Sequence, residues 1–195
     1  MKEKEIRKLD IQFRAEKTEE EKMEIKGYAA VFDSPETYGY TEVIDSAAFN
    51  ETDMSDVVLR YNHNDSFMVL ARTRNKSLQL KVDEKGLYMN ATLQDDITEH
   101  RDIFNAIKSE LIDKQSFAFT VEEDIYDYDT DTRTITKIGK LFDVSVVDQP
   151  FYNATDVSVC SKNDDFLERR AELRKQHEEK KALEEAKKKL MEKLD

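Results

Sequence analysis

The chain has 195 residues, enough for one domain with a real core plus an appendage. Hydrophobic and charged residues each make up 38%, and the formal net charge of −12 argues against broad nucleic-acid binding, because phosphates would be repelled. No apolar run approaches the roughly 20 residues of a membrane span, and the opening MKEKEIRKLD lacks the apolar segment of a secretory signal; the single cysteine, Cys160, excludes an internal disulfide and suits a reducing cytoplasm.

From about Ile6 to Val159 the text reads mostly as strands. MEIKGYAAVF (23–32), VVLRYN (57–62), SLQLKV (77–82), LYMNATL (87–93), 117–121, 134–138 and 141–147 are short and rich in β-branched and aromatic residues. Several alternate apolar with polar residues, as half-buried strands do. A brief helix is expected over Ser46–Asn50. DEKG (83–86) is a hairpin signal, with Gly86 free to take positive φ, and YDTDTR (128–133) is a second hairpin tip. One helix interrupts the strands: Ile97, His100, Ile103, Phe104, Ile107 and Leu111 fall at three- and four-residue spacing and make one apolar stripe. Only two prolines and four glycines occur, so the turns rely on Asn and Asp. Tyr38, Tyr40, Tyr126 and Tyr128 read as packing in loops or edge strands.

At Asp164 the composition shifts to helix formers without Gly, Pro or β-branched residues, which divides the chain into a body, 1–163, and a charged helical tail, 164–195. The tail holds ten acidic and ten basic residues, so the body carries the whole negative excess. Leu183, Ala186, Leu190 and Leu194 form a short seam. Two readings stand: a helix that docks on a partner or pairs with itself, or a solvated helix held by Glu–Lys pairs.

Three histidines are available. His177 lies in the charged tail and His100 on the apolar stripe, where packing accounts for it. His63 ends the strand VVLRYN, where a ring can be held rigidly and still reach a cleft, as a general base requires. Ser116 begins a second apolar strand in IDKQSFAFTV, and a serine is a poor nucleophile until a neighbouring base takes its proton. Asp143 is a charge inside the apolar strand KLFDVSVV and needs a partner. Spacing alone leaves these three as candidates. The sequence contains no G-x-S-x-G elbow, phosphate loop, H-E-x-x-H or cysteine pair, so no metal or cofactor is expected.

Four collinear blocks are similar to the prohead proteases of tailed phages, relatives in fold of the herpesvirus assemblins: GYAAVFDSPETYGYTEVIDSAAF (27–49), LRYNHNDSFMVLARTRNKSLQLKVDEKGLYMNATL (59–93), AIKSELIDKQSFAFTV (106–121) and LFDVSVVDQPFYNAT (141–155). The resemblance covers roughly residues 25–157 and places the catalytic histidine on His63, the serine on Ser116 and the closing-strand acid on Asp143. Four positions depart from the family pattern: Asp143 stands where Glu is more usual, Ser109-Glu110 where the helix ends near a Gly, Ala118 for the Gly of Phe-Gly-Phe, and Ala71 for the Gly before Arg-Thr.

The resemblance implies a mainly β (α+β) fold, an antiparallel barrel or curved sheet flanked by a few helices with a C-terminal helical tail. It implies peptide hydrolysis through an acyl-enzyme, with backbone N–H groups stabilising the oxyanion. The implied partners are the phage major capsid protein and scaffolding protein as substrates, the chain itself by autoproteolysis, and a second copy in a homodimer; nucleic acid and membrane are not expected partners. The implied location is the interior of the prohead in the host cytoplasm. Three alternatives accompany it: a protease-like assembly factor that does not cleave, a catalytic set with His100 in place of Asp143, as in the herpesvirus relatives, and a purely structural virion protein.

Overall fold

The computed structural model describes residues 4–9, 13–19, 21–37, 40–148 and 164–191. The strands are β1 (Glu5–Leu9), β2 (Phe13–Lys17), β3 (Met23–Val31), β4 (Glu36–Thr37), β5 (Thr41–Ile44), β6 (Val58–Tyr61), β7 (Ala71–Arg72), β8 (Leu78–Val82), β9 (Gly86–Leu93), β10 (Lys114–Asp127) and β11 (Thr132–Val147). Helix α1 spans Thr98–Lys108 and helix α2 spans Asp164–Met191.

Period-2 patterning builds the interior. Along β9, Leu87, Met89, Ala91 and Leu93 are buried while Tyr88, Asn90 and Thr92 are half-buried on the other face. This strand pairs with β3 and β8, and β2 completes a four-stranded sheet in the order β2-β3-β9-β8. The second sheet has seven strands, ordered β1-β10-β11-β5-β4, with β6 added between β11 and β7. Phe117 and Phe119 of β10, Val144 and Val146 of β11, and Ile25 and Met89 of the smaller sheet belong to one buried cluster, which Ile103, Phe104 and Ile107 of α1 join. Four members of the expected stripe, His100, Ile103, Phe104 and Ile107, are the face α1 buries, whereas Ile97 is half-buried and Leu111, beyond the helix end at Lys108, is 75% exposed.

Among the described residues the fold is mainly β, with two sheets and no closed barrel. Most pairings are antiparallel, but β5 and β6 both run parallel to β11, one at each end of it. The two strands expected at 134–138 and 141–147 are one continuous strand, and register shifts against β10 absorb the irregularity between them. Residues 46–50 form turns in place of the expected short helix. Both hairpins form where expected, but Gly86 is required for space, because a Cβ there would lie 2.0 Å from the Ala30 carbonyl oxygen.

Helix α1 ends with the N–H of Glu110 bonded to the Ile107 carbonyl and that of Leu111 to the Ala106 carbonyl, at 3.0 and 2.9 Å. That paired closure puts Glu110 at φ 61°, the conformation glycine adopts most easily.

Helix α2 touches the tip of the β10–β11 hairpin. Arg170 and Arg174 reach Asp131 at 2.5 and 3.1 Å, Lys181 reaches Asp129 at 3.3 Å, and the His177 ring stacks on Tyr128. Tyr126 packs edge-on against Tyr128 and accepts a 2.7 Å hydrogen bond from Arg170 Nε. Leu183 is 56% exposed. The other members of the tail seam and Cys160 lie outside the described side chains.

Candidate active site

The site is built by three consecutive strands of the larger sheet: β10, β11 and β6. Ser116 of β10 stands opposite Ser145 of β11, and Asp143 is two residues before Ser145, so all three side chains share one face. On the far side of β11, Tyr61 of β6 pairs with Val146, and the chain then turns. The Asn64 N–H closes that turn on the Tyr61 carbonyl at 3.0 Å, with Asn62 and His63 at φ 52° and 53°. Asparagine and histidine are both enriched in this left-handed region, which costs L-residues in general roughly 1–2 kcal/mol. The Asn62 N–H donates to the Val146 carbonyl at 3.0 Å, and its side-chain oxygen accepts from Asp148 N–H at 3.2 Å, which fixes the turn to β11.

The turn brings His63 back over β11. Its Nε2 lies 2.5 Å from Ser116 Oγ, and its Nδ1 meets Asp143 Oδ1 in a short hydrogen bond. The three candidate residues therefore form one continuous chain, Ser116–His63–Asp143. Ser116 and Asp143 are buried, and the His63 side chain is 11% exposed.

Ser145 is a fourth member that sequence reasoning missed. Its Oγ donates to Asp143 Oδ1 at 3.1 Å, lies 3.2 Å from His63 Nδ1, and accepts the His63 main-chain N–H at 3.2 Å. The signal was its two-residue offset from Asp143, which becomes informative only once β10 and β11 are known to pair. Its small size also leaves room for the imidazole to cross β11.

Burial pushes the Asp143 carboxyl up, but the hydrogen bond and charge of His63 outweigh it, helped by the Lys4 ammonium 2.9 Å from Oδ2. The net result is a carboxyl held below its ordinary range, so Asp143 is ionised at neutral pH. Next to Ser116, the β1 residue Arg7 offers its main-chain carbonyl, which accepts the Ser116 hydroxyl at 2.8 Å.

His100 lies elsewhere in purpose. Its Nδ1 accepts the Gln94 N–H at 3.0 Å, and its Nε2 faces the Val69 carbonyl at 3.1 Å, so both ring nitrogens are committed to holding α1. His177 belongs to the α2 contact. Among the described residues, no group of three or more His, Cys, Asp or Glu is arranged to hold a metal ion, and no helix is long and apolar enough to cross a membrane.

A family model described as caudovirus prohead serine protease matches residues 9–169. The chain belongs to that family. As a prohead protease it is a peptidase of capsid maturation. It is also similar to the solved structure of the bacteriophage T4 capsid assembly protease, gp21, at 12% identity and a TM-score of 0.47, covering 73% of this chain and 98% of that one. No curated protein matches it. The family match spans the turn that carries His63 and the strands that carry Ser116, Asp143 and Ser145, as well as the start of α2.

Proposed function

We propose that this prohead protease is a serine endopeptidase with Ser116 as nucleophile, His63 as general base and then acid, and Asp143 as the group that orients the imidazole. The observation that carries this reading is the unbroken contact chain from Ser116 Oγ through both His63 nitrogens to an ionised Asp143. The turn at Asn62-His63 brings the ring over β11, within hydrogen-bond reach of the Asp143 carboxylate.

The steps follow from that geometry. As the bond from Ser116 Oγ to the scissile carbonyl carbon forms, the hydroxyl proton passes to His63 Nε2 and the carbonyl electrons move onto oxygen. The C–N bond then breaks, and Nε2 delivers the proton to the departing amine. Water next attacks the acyl-enzyme, giving a proton to Nε2 as its oxygen bonds to carbon. The C–Oγ bond breaks, and Ser116 recovers the proton. Throughout, Asp143 Oδ1 keeps Nδ1 protonated and the ring oriented, which leaves Nε2 free to cycle.

The substrates proposed are the phage major capsid protein, the scaffolding protein and the chain itself, cut inside the prohead. The body, 1–163, carries this chemistry, and the tail from Asp164 is proposed as a separable segment. Treatment with a fluorophosphonate followed by peptide mapping tests the chemistry: the adduct is expected on Ser116, and His63→Ala should slow its formation at least about a hundredfold. An adduct that forms equally fast without His63 would remove the histidine from its assigned role.

A further inference from the structure

His63 stands in a turn just past the end of β6, so no strand ladder fixes its main chain. Its ring nevertheless has to meet two set atoms at once, Ser116 Oγ on β10 and Asp143 Oδ1 on β11. A rigid imidazole that serves both tolerates little rotation, and a reacting group displaced by about 1 Å can lose roughly a hundredfold in rate. Two consecutive left-handed residues, Asn62 and His63, persist only where neighbouring groups over-determine them. Groups on both sides of the turn do so.

On the entering side, Tyr61 Oη donates to Asp148 Oδ2 at 2.7 Å, and the Tyr61 ring packs edge-on against Phe67 with centroids 5.6 Å apart. Asp148 directly follows β11, so this bond and the one from its main-chain N–H to Asn62 tie the start of the turn to the strand that carries Asp143. On the leaving side the tie is Arg60. Its Nη1 donates to the Asn64 carbonyl at 3.2 Å, and its Nη2 pairs with Asp65 Oδ1 at 3.0 Å. The same carbonyl accepts the Phe67 N–H at 3.3 Å, and Asn64 Oδ1 accepts the Ser66 N–H at 2.9 Å. The guanidinium thus lands on chain that is already folded back.

Sheet register puts Arg60 where such a clasp can act. Arg60 of β6 is the partner of Ser145 of β11, which is the partner of Ser116 of β10. The three residues form one row across the catalytic face, with Arg60 and Ser116 at its ends, roughly 10 Å apart at about 4.8 Å per strand. His63 donates its main-chain N–H to the middle member. The Arg60 side chain is 18% exposed, whereas that of Asp65 is 86% exposed. An ion pair with so exposed a partner contributes little by itself, which leaves the Asn64 carbonyl, one residue beyond the base, as the contact that gives Arg60 its role.

We propose that Arg60 is a positioning residue for the general base. Its guanidinium clasps the chain leaving the His63 turn, opposite the clasp that Tyr61 and Asp148 make on the chain entering it, and so holds the imidazole against Ser116 and Asp143. This rests on the serine protease reading above.

The test measures fluorophosphonate labelling of Ser116 in the full-length chain. Arg60→Met keeps an unbranched stem and removes the donors. It should label at least about fivefold slower than wild type, the effect of one lost charge-assisted bond, while the melting temperature moves by no more than a few degrees. The same substitution is then made in a His63→Ala background, with longer exposure to the reagent. A residue that acts through the imidazole has nothing left to position there, and the rate should change by less than about twofold. Equal slowing with and without His63, or a wild-type rate in Arg60→Met, overturns the proposal and leaves the protease reading standing. If Arg60→Met does not fold, Arg60→Lys carries the same two comparisons, because it keeps charge and stem but loses the fork that spans both acceptors. Its expected slowing is about threefold with His63 present and none without it, and a wild-type rate again overturns the proposal. If Ser116 is never labelled, in wild type or variants, the protease reading fails and this proposal falls with it.

Discussion

Arg133 makes the sharpest stability prediction. Its guanidinium is 3% exposed and meets Glu5 at 2.9 and 3.1 Å, Glu42 at 3.1 Å and Asp124 at 2.7 Å. Arg133→Met keeps the volume and removes the charge, leaving Glu5 and Glu42 buried with Arg7 as the remaining cation of this cluster. Stranding a buried charge in this way costs about 3–5 kcal/mol, against roughly 5–15 kcal/mol for a whole domain. With a urea slope of about 2 kcal/mol per molar, the unfolding midpoint should fall by roughly 2 M. Adding Glu42→Gln to Arg133→Met removes a charge of each sign and leaves Glu5 with Arg7. The double variant should therefore lose about 2 kcal/mol less than the sum of the single losses. Equilibrium urea unfolding of the four proteins at pH 7 measures all of this. A loss under about 1 kcal/mol for Arg133→Met, the size of an exposed ion pair, would refute the argument that these charges depend on one another in a dry setting.

Other expectations follow from single positions. Glu110→Gly relieves a left-handed residue at the end of α1 and should stabilise the fold by about 1 kcal/mol in the same assay; a loss of stability would show that the helix closure does not constrain this residue. Ser145→Ala removes the bonds that steady Asp143 and the His63 main chain, and a loss near 1 kcal/mol should slow Ser116 labelling roughly fivefold without shifting the melting temperature by more than a few degrees. The Glu5 carboxyl is pushed up by burial but held below its ordinary range by Arg133 and Arg7, and Asp143 is likewise depressed. For such groups the stabilisation is complete above the unfolded value of about 4 and fades as pH falls from there through the lower native values. Urea midpoints should thus decline below about pH 4, and Glu5→Gln should flatten the decline; a wild-type midpoint that rises on acidification would contradict this. The α2 contacts are ion pairs at an exposed hairpin tip, so hydrogen exchange of residues 170–181 should quicken in 1 M salt, while β10 and β11 stay protected.

Much of the fold could be read from local pattern. The alternation in 87–93 and the polar tip at 128–133 are signals within a few residues, and each formed where expected, as did the α1 stripe from His100 to Ile107 though not at Leu111. The segments that escaped notice owe their structure to distant partners. EIRKL and FRAEK carry too many charges to read as strands, yet Glu5 and Arg7 are buried because Glu42 and Arg133 await them. The parallel pairing of β5 and β6 with β11 likewise joins residues far apart in sequence. Gly86 was read as a turn glycine, whereas its need is for space beside the Ala30 carbonyl, a constraint set by a neighbouring strand. At the site, residue types and family resemblance singled out His63, Ser116 and Asp143, and the sheet order β10-β11-β6 explains their meeting. The left-handed turn at Asn62-His63 and the supporting Ser145 depend on that sheet order, and no spacing in the sequence announces them.

Co-expression of this chain with its cognate capsid and scaffolding proteins, wild type beside Ser116→Ala, followed by intact-mass analysis, tests the central claim most directly. The account predicts truncated capsid or scaffold species with the wild type and full-length species with the variant. Identical full-length proteins in well-formed shells from both would contradict it and turn the chain into a protease-like assembly factor.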